Sequence, residues 1–409
     1  MQCGLLGRRL GHSYSPQIHS ALADYSYSLF EKEPEELENF LKYGDFTGLN
    51  VTYPYKKEVI PYLDALSDKA KRLGAVNTIV RRTDGTLIGH NTDHFGFCSL
   101  LARSGLDVED RKVLILGSGG ASNTAVAALQ ELGAQTVVIS RSGENNYTNL
   151  HLHANAFLIV NATPVGMYPN VGISPVDLSL FPRLEGVLDV VYNPARTQLL
   201  LDAEARGLKT ENGLWMLVAQ AKESAEWFTG SVISDAVIPA IHKQLQLQME
   251  NIELIGMPGC GKSTVAAALA EKLGRTAVDA DSVIEKEAGC SIPEIFAAGG
   301  EEAFRQLETK VLQALGKQSG LIIATGGGCV TRRENYPPLH QNGTIFWLTR
   351  QLDKLPTAGR PLSQSGRLES MYARRKPLYQ QFCDHIISND AAVDDAVNAV
   401  LEALQKVKL

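Results

Sequence analysis

The chain has 409 residues, 44% of them hydrophobic and 21% charged, with a net charge of −6. That length suggests two or three domains at the usual size of about 100–200 residues. The acidic balance argues against nucleic acid, six cysteines without a C-x-x-C argue against zinc or a disulfide framework, and no stretch is apolar enough to span a bilayer. These features point to a cytoplasmic protein whose ligands are small molecules, and they leave its oligomeric state undetermined.

In chain order, residues 1–100 mix strands such as "GLNVT" (48–52) with helices such as "PEELENFLKYG" (34–44). In "NTIVRRTDGTLIGHNTD" (77–93), Asp84-Gly85 between strand-like runs predicts a two-residue hairpin turn. That turn would set Asn77 opposite Thr92 and bring Asn77 close to Asp93. The pair then either faces a ligand or is a polar hairpin end at the surface.

The stretch "RKVLILGSGGASNTAVAALQELG" (111–133) reads as strand, glycine turn and helix. A dinucleotide fingerprint wants G-x-G-x-x-G and a later acidic residue for the ribose. Gly117, Gly119 and Gly120 fit, but Ser122 stands at the third glycine position. The second strand ends in Ser140-Arg141-Ser142 and offers no carboxylate. Arg141 is therefore either a contact for a 2′-phosphate, favouring NADP over NAD, or a solvated surface residue. An amphipathic helix over 234–248 then runs almost directly into a strand starting near Asn251, leaving little linker.

In "ENIELIGMPGCGKSTVAAALAEKLG" (250–274), Gly256-x-x-x-x-Gly261-Lys262-Ser263 is a complete P-loop in a strand–loop–helix context. Its backbone N–H groups, through Gly259, Cys260, Gly261 and Thr264, suit the phosphates of ATP. Lys262 suits the outer phosphates, and the Ser263 hydroxyl suits Mg²⁺. "VDADS" (278–282) would put Asp279 and Asp281 on one side of a strand, although a capping box from Ser282 to Glu285 would make Asp281 mere helix entry. Arg305 and Glu308 in "EEAFRQLE" share a helix face, as site residues or as a surface ion pair. "LIIATGGGCV" (321–330) is a buried strand opening into glycines, as for a close ligand. "TAGRPLSQSGR" (357–367) reads as a lid carrying Arg360, with "YARRKPLY" on a following helix.

Residues 1–247 resemble shikimate dehydrogenase in ordered motifs: "HSYSP" (12–16), "NVTYPYK" (50–56), "GAVNT" (74–78), "NTD" (91–93), "GSGGAS" (117–122), "NATPVGM" (161–167), "DVVYNP" (189–194) and "NGLWMLVAQA" (212–221). The resemblance implies a substrate lobe over 1–100, completed by helices over about 213–247, and a Rossmann lobe for NADP over 101–212. It implies that Ser13 and Ser15 bind the substrate carboxylate and that Lys56, Asn77, Asp93 and Gln220 hold the ring hydroxyls. Thr52 and Tyr192 complete the substrate site, and Lys56 and Asp93 form the catalytic pair. The implied cofactor contacts are Gly117, Gly119, Gly120, Ala121, Ser140, Arg141 and Gly213. Two departures stand out. His94 replaces a small residue, and the segment from Ser140 to Asn161 is about half the expected length, as though a helix and a strand were missing.

Residues 250–409 resemble shikimate kinase, by the P-loop, D-x-D, "FR" before a glutamate, "GGG", "GRPL" and "RKPLY". This implies a P-loop domain with a parallel sheet. By resemblance, Asp281 contacts the acceptor hydroxyl as its base, Asp279 helps hold Mg²⁺, and Arg305 and Arg375 bind the carboxylate. Glu308 orients an arginine, Gly327 and Gly328 line the substrate site, and Arg360 neutralises the transferring phosphoryl group. Lys354 is the basic candidate on the adenine side. The two halves together imply reduction of 3-dehydroshikimate with NADPH and phosphorylation of the shikimate formed. The competing readings are a regulator that binds these ligands without turnover, disfavoured by the intact catalytic positions, and an NAD-using quinate/shikimate dehydrogenase, disfavoured by Arg141.

Overall fold

Continuous apolar runs become buried parallel strands, because both faces of such a sheet are covered by helices. The structure, a computed structural model, describes residues 1–11, 13–355 and 367–406. Arg360 and most of the expected lid lie outside the described residues. One compact unit comprises Met1–Gly166, Ile173–Tyr192 and Asp202–Gln244; the other comprises Met167–Gly172, Asn193–Leu201 and the chain from Leu245.

The first unit holds two sheets. The first has six strands in the order Ser26–Glu31, Gln2–Gly7, Gly48–Val51, Thr78–Arg81, Leu87–His90, Ala65–Leu66. Gln2–Gly7 runs parallel to both neighbours, whereas Thr78–Arg81 is antiparallel to both of its own. "PEELENFLKYG" forms a short 3₁₀ turn and the helix Leu37–Tyr43, whose Leu37 and Leu41 join the core beneath the sheet with Leu49, Val51 and Ile79.

The predicted hairpin forms with a different register. Thr78 pairs with His90 and Arg81 with Leu87, and the Arg82 and Thr86 backbones close a three-residue loop. Gly85 takes φ +89° there, the left-handed residue such loops require. Asp84 accepts from the Thr86 N–H and hydroxyl at 2.9 and 2.7 Å, which locks the longer loop. Asn77 is therefore level with Asn91 rather than Thr92.

The second sheet is wholly parallel, in the order Lys209–Glu211, Gly186–Asp189, Leu158–Asn161, Lys112–Leu116, Gln135–Ile139. Val113, Leu114, Ile115 and Leu116 are all fully buried, as the run "VLIL" requires. After Gln135–Ile139 only a short 3₁₀ turn, Leu150–His153, precedes the next strand, in keeping with the expected loss of a helix and a strand. A self-bonded asparagine-rich loop fills the gap. Asn145 accepts the Ser140 N–H at 3.1 Å, Asn149 accepts the Asn146 N–H at 2.8 Å, and the Asn149 amide donates to the Glu144 carbonyl at 2.9 Å.

Helix Asp93–Ser104 leads into this second sheet, and helix Leu214–Thr229 packs along it. Gly96 makes the approach possible, since a Cβ there would lie 2.8 Å from the Met216 carbonyl.

The second unit carries a parallel sheet in the order Ala277–Asp279, Ile322–Ala324, Asn251–Ile255, Gly343–Thr349, His385–Ser388. Its central strand is buried throughout and runs into the P-loop and helix Lys262–Leu273. The long helical stretch Ile292–Gly316 breaks at Gly300 (φ 71°), so its second half, with Arg305 and Glu308, takes its own direction.

Glu253, in the central strand, is fully buried with neither carboxyl oxygen hydrogen-bonded. Burial pushes its carboxyl well above the ordinary 4.5, so the folded chain keeps the proton that the unfolded chain releases. Stability is then complete below that ordinary value and falls by about 1.4 kcal/mol per pH unit as pH rises toward the folded value. Glu253→Gln, which ionises in neither state, should raise the melting temperature of the second unit at pH 8 and lose most of that gain at pH 5. Calorimetry showing the same change at both pH values would refute this.

Candidate active sites

In the first unit, a strand end, a hairpin end and two helices converge. Lys56 Nζ donates to Asp93 Oδ2 at 2.6 Å. Asn77 Nδ2 donates to Asp93 Oδ1 at 2.9 Å and lies 3.5 Å from Gln220 Oε1. The Asn77 amide is oriented by the Thr92 N–H, which donates to its Oδ1 at 2.8 Å. The one-residue register change leaves Asn77 beside Asp93, because Asp93 opens the helix Asp93–Ser104 and turns back toward the hairpin. An aspartate in a first helical turn is also favoured by the helix dipole. The Asp93 carboxylate is thus held by one cation and one amide, and remains partly open to solvent (14% of its side chain).

Ser13 Oγ accepts the Ser15 N–H at 3.2 Å where helix Ser15–Leu22 begins. Tyr14, between them, meets Tyr192 edge-on at 6.4 Å, so Tyr192 reaches the Ser13–Ser15 turn from beyond strand Gly186–Asp189. Burial raises the hydroxyl pKa of both tyrosines, which stay neutral donors. Thr52 follows strand Gly48–Val51 and bonds back to the Leu6 carbonyl at 2.9 Å, with no bond to the Lys56–Asp93 cluster.

Beneath the cluster sits a residue the motifs do not single out. Ser224 Oγ bonds Asn50 at 2.8 Å, Thr78 at 2.9 Å and Thr92 at 3.0 Å. Its one local signal is its place four residues past Gln220 on the same helix face. His94 points away from the site, 2.9 Å from Glu131 Oε2, with Arg72 on the other Glu131 oxygen. It leaves the Lys56–Asp93 pair uncrowded.

The dinucleotide turn fits a pyrophosphate. Gly117 has φ 106°, and a Cβ there would press on Thr163 and the Ala162 carbonyl at 2.9 and 3.1 Å. Above Gly119 and Gly120, by contrast, a Cβ would meet nothing within 4 Å, leaving room over the N-terminus of helix Gly120–Glu131. Ala121 lies in that first turn, and Ser122 is buried with its hydroxyl unbonded. Gly213 donates its N–H to the Val191 carbonyl at 3.0 Å and opens helix Leu214–Thr229; any side chain there would overlap the Val190 carbonyl. Arg141 is exposed beside Tyr147 at the base of the asparagine-rich loop.

In the second unit, Gly256, Gly259 and Gly261 take φ 145°, 83° and 98°, bending the loop as a phosphate cradle requires. Lys262 is buried and donates to the Gly256 and Met257 carbonyls at 3.0 and 3.2 Å; Thr264 is exposed in the first helical turn. Ser263 Oγ donates to Asp279 Oδ2 at 2.5 Å. A hydroxyl and one carboxylate suit Mg²⁺, which keeps most of its waters. Among the described residues no group of three or more His, Cys, Asp or Glu could form a protein-only metal cage.

The capping box expected from Ser282 to Glu285 does not form. Asp279 is the cap instead, accepting the Asp281 and Ser282 N–H groups at 3.0 and 3.3 Å, so the helix starts earlier. Asp281 consequently lies in the helix's first turn rather than on the strand with Asp279. Its Oδ1 is buried and unbonded; burial first, and the nearby Asp279 charge second, raise its pKa.

Asp281 and Glu308 face one another across Gly326, where a Cβ would lie 2.5 Å from Glu308 Oε1 and 2.8 Å from Asp281 Oδ1. Arg305, buried, donates to Glu308 at 2.7 Å and to Glu301 at 3.1 Å, so it is not the alternative surface pair. Its guanidinium covers Gly328, where any side chain would collide with it. Arg375, on helix Arg367–Phe382, donates to the Gly327 carbonyl at 3.0 Å and keeps a buried Nε without a partner. Tyr379 also donates to the Gly327 carbonyl at 2.5 Å; "RKPLY" contains it, but nothing local indicates its partner. Lys354 donates to the Asp390 carbonyl at 3.2 Å.

Comparison with known proteins finds a relative for each of the two parts. The model "Shikimate dehydrogenase substrate binding domain" matches residues 5–79, and the model "Shikimate kinase" matches residues 258–405. The chain is 36% identical over 265 residues to a shikimate dehydrogenase (NADP(+)) of Clostridium perfringens, covering 59% of this chain and 97% of that protein. Among solved structures it resembles shikimate dehydrogenase 1 of Peptoclostridium difficile (38% identity, TM-score 0.56, 60% of this chain and 97% of that one). It also resembles the Thermus thermophilus shikimate 5-dehydrogenase in complex with NADP(H) and shikimate (31% identity, TM-score 0.54, 60% and 99%). The chain belongs to the shikimate dehydrogenase family and continues as a shikimate kinase domain, a bifunctional enzyme that uses NADP(H) in one part and ATP in the other.

Proposed function

We propose that the first unit reduces 3-dehydroshikimate to shikimate and that the second phosphorylates the shikimate 3-hydroxyl. The observation that carries the first step is the 2.6 Å contact between Lys56 and Asp93, flanked by Asn77. When bound, NADPH supplies the hydride that reaches the ring carbonyl carbon. Lys56 gives the carbonyl oxygen its proton, Asp93 holds that lysine in place, and Asn77 and Gln220 hold neighbouring hydroxyls. Ser13, Ser15 and Tyr192 take the carboxylate end, with Thr52 alongside. Gly117, Gly119, Gly120, Ala121 and Gly213 hold the cofactor, with Ser140 and Arg141 at its 2′-phosphate.

In the second unit, Asp281 takes the proton from the acceptor hydroxyl as that oxygen bonds to the γ-phosphorus of ATP and ADP leaves. Arg305, fixed by Glu308, and Arg375 bind the acceptor's carboxylate beside Gly327 and Gly328. Ser263 and Asp279 would hold Mg²⁺, which would offset the negative charge of the phosphates. Lys262 and the N–H groups of the loop hold the phosphates. Arg360, outside the described residues, is assigned by resemblance to the transferring group.

The ligands of this reading are small anions, with no nucleic acid or membrane involved. No described helix is long and apolar enough to cross a membrane. The six cysteines are all unpaired, as in the reducing cytoplasm where we place the chain.

The test supplies 3-dehydroshikimate, NADPH, ATP and Mg²⁺ and follows loss of NADPH absorbance at about 340 nm together with ADP formation. Folded protein giving neither signal would refute the proposal. A narrower expectation concerns Gly328→Ala, whose methyl would displace the Arg305 guanidinium. KM for shikimate should rise roughly ten- to a hundredfold, the worth of one charge-assisted contact, with KM for ATP little changed. Steady-state kinetics showing the reverse pattern would remove Arg305 from the acceptor site.

A further inference from the structure

The P-loop must present several backbone N–H groups inward at once, and its left-handed glycines belong to no regular ladder. A side chain from the edge strand of the sheet reaches it. Asn389, directly after strand His385–Ser388, donates from Nδ2 to the Cys260 carbonyl at 2.7 Å. It is only 4% exposed, and its own N–H donates to the Thr349 carbonyl at 2.8 Å, so the amide is anchored at its base. Asp390 steadies the same turn by accepting the Gln351 N–H at 2.7 Å and the Ser388 hydroxyl at 3.1 Å.

In a trans peptide the C=O and the N–H point to opposite sides. Holding the Cys260 carbonyl against Asn389 therefore turns the Gly261 N–H away from Asn389, toward the concave side of the loop. The fit is tight, because a Cβ on Gly261 would overlap the Asn389 amide nitrogen. Gly261 is thus glycine both for its φ of 98° and for the room Asn389 needs.

We propose that Asn389 is a positioning residue for nucleotide binding, setting the Cys260–Gly261 peptide so that the Gly261 N–H meets a phosphate oxygen of ATP. This rests on the kinase reading of the second unit. The test compares the full chain with Asn389→Ala and Asn389→Leu; the leucine keeps the branched shape but removes the donor. Both variants should raise KM for ATP about tenfold, the loss expected for one buried hydrogen bond, with KM for shikimate within about twofold. Calorimetric Kd values for MgADP should move by the same factor.

A leucine variant that matches the unsubstituted chain would overturn the proposal. So would KM values for ATP and shikimate that rise together, or a lowered melting temperature with unchanged nucleotide Kd. The dehydrogenase rate serves as an internal measure of folded protein. If the unsubstituted chain binds MgADP but never phosphorylates shikimate, the kinase reading fails while the MgADP comparison still decides the role of Asn389.

Discussion

Replacing Lys56 by alanine should lower reduction of 3-dehydroshikimate about 10²–10⁴-fold, the usual contribution of a placed general acid. Phosphorylation of added shikimate should continue at the unsubstituted rate. The selectivity follows from the contacts. Lys56 donates to Asp93 at 2.6 Å, but Asp93 keeps its bond from Asn77 at 2.9 Å, and its N–H still donates to Asn91. Removing the ammonium therefore takes away the proton donor and leaves the hairpin end intact. Single-turnover reduction with each activity assayed separately is the measurement. Reduction within tenfold of the unsubstituted rate would strip Lys56 of its role, and loss of both activities would show that the two depend on each other.

The second large effect is expected from Asp281→Asn, which should lower phosphorylation of shikimate about 10²–10⁴-fold by removing the base. Nucleotide affinity should survive, because Ser263, Asp279 and Lys262 keep their own bonds. The pH profile gives a sharper signature. Burial raises the Asp281 pKa, so its active, ionised form accumulates at higher pH than that of an ordinary aspartate. The phosphorylation rate should rise with pH through that raised value, and the acid limb should vanish in the asparagine variant. An unchanged acid limb would assign the titration, and with it the base, to another group.

The sequence made the glycine turns legible because their spacing answers to chemistry: a phosphate needs N–H groups at fixed intervals and space where a Cβ would stand. The buried parallel strands were legible for the same kind of reason, since both of their faces need apolar side chains. The errors came where two local signals compete. Asp84-Gly85 serves a two-residue turn as well as a three-residue one, and the Asp84 bonds to Thr86 decide for the longer. Asp279 and Ser282 are both good helix caps, and the earlier one captured the helix. The partners of Ser224, Tyr379 and Asn389 were illegible for a different reason. Asn389 lies 129 residues from the carbonyl it holds, and no periodicity encodes such a partner.

The dinucleotide sheet ends at Gln135–Ile139, one place from Lys112–Leu116 and two from Leu158–Asn161. Cofactor crevices in such sheets open between the strands where the winding reverses. Here those strands are Lys112–Leu116 and Leu158–Asn161, whose ends touch through Gly117 and Thr163. A sheet can be trimmed or extended from its outer edge without disturbing that junction. The 140–149 loop is accordingly where this enzyme should accept changes in length, with any cost confined to the adenosine end. One residue inserted between Gly117 and Ser122 would instead rotate the following helix by about 100° and close the cradle.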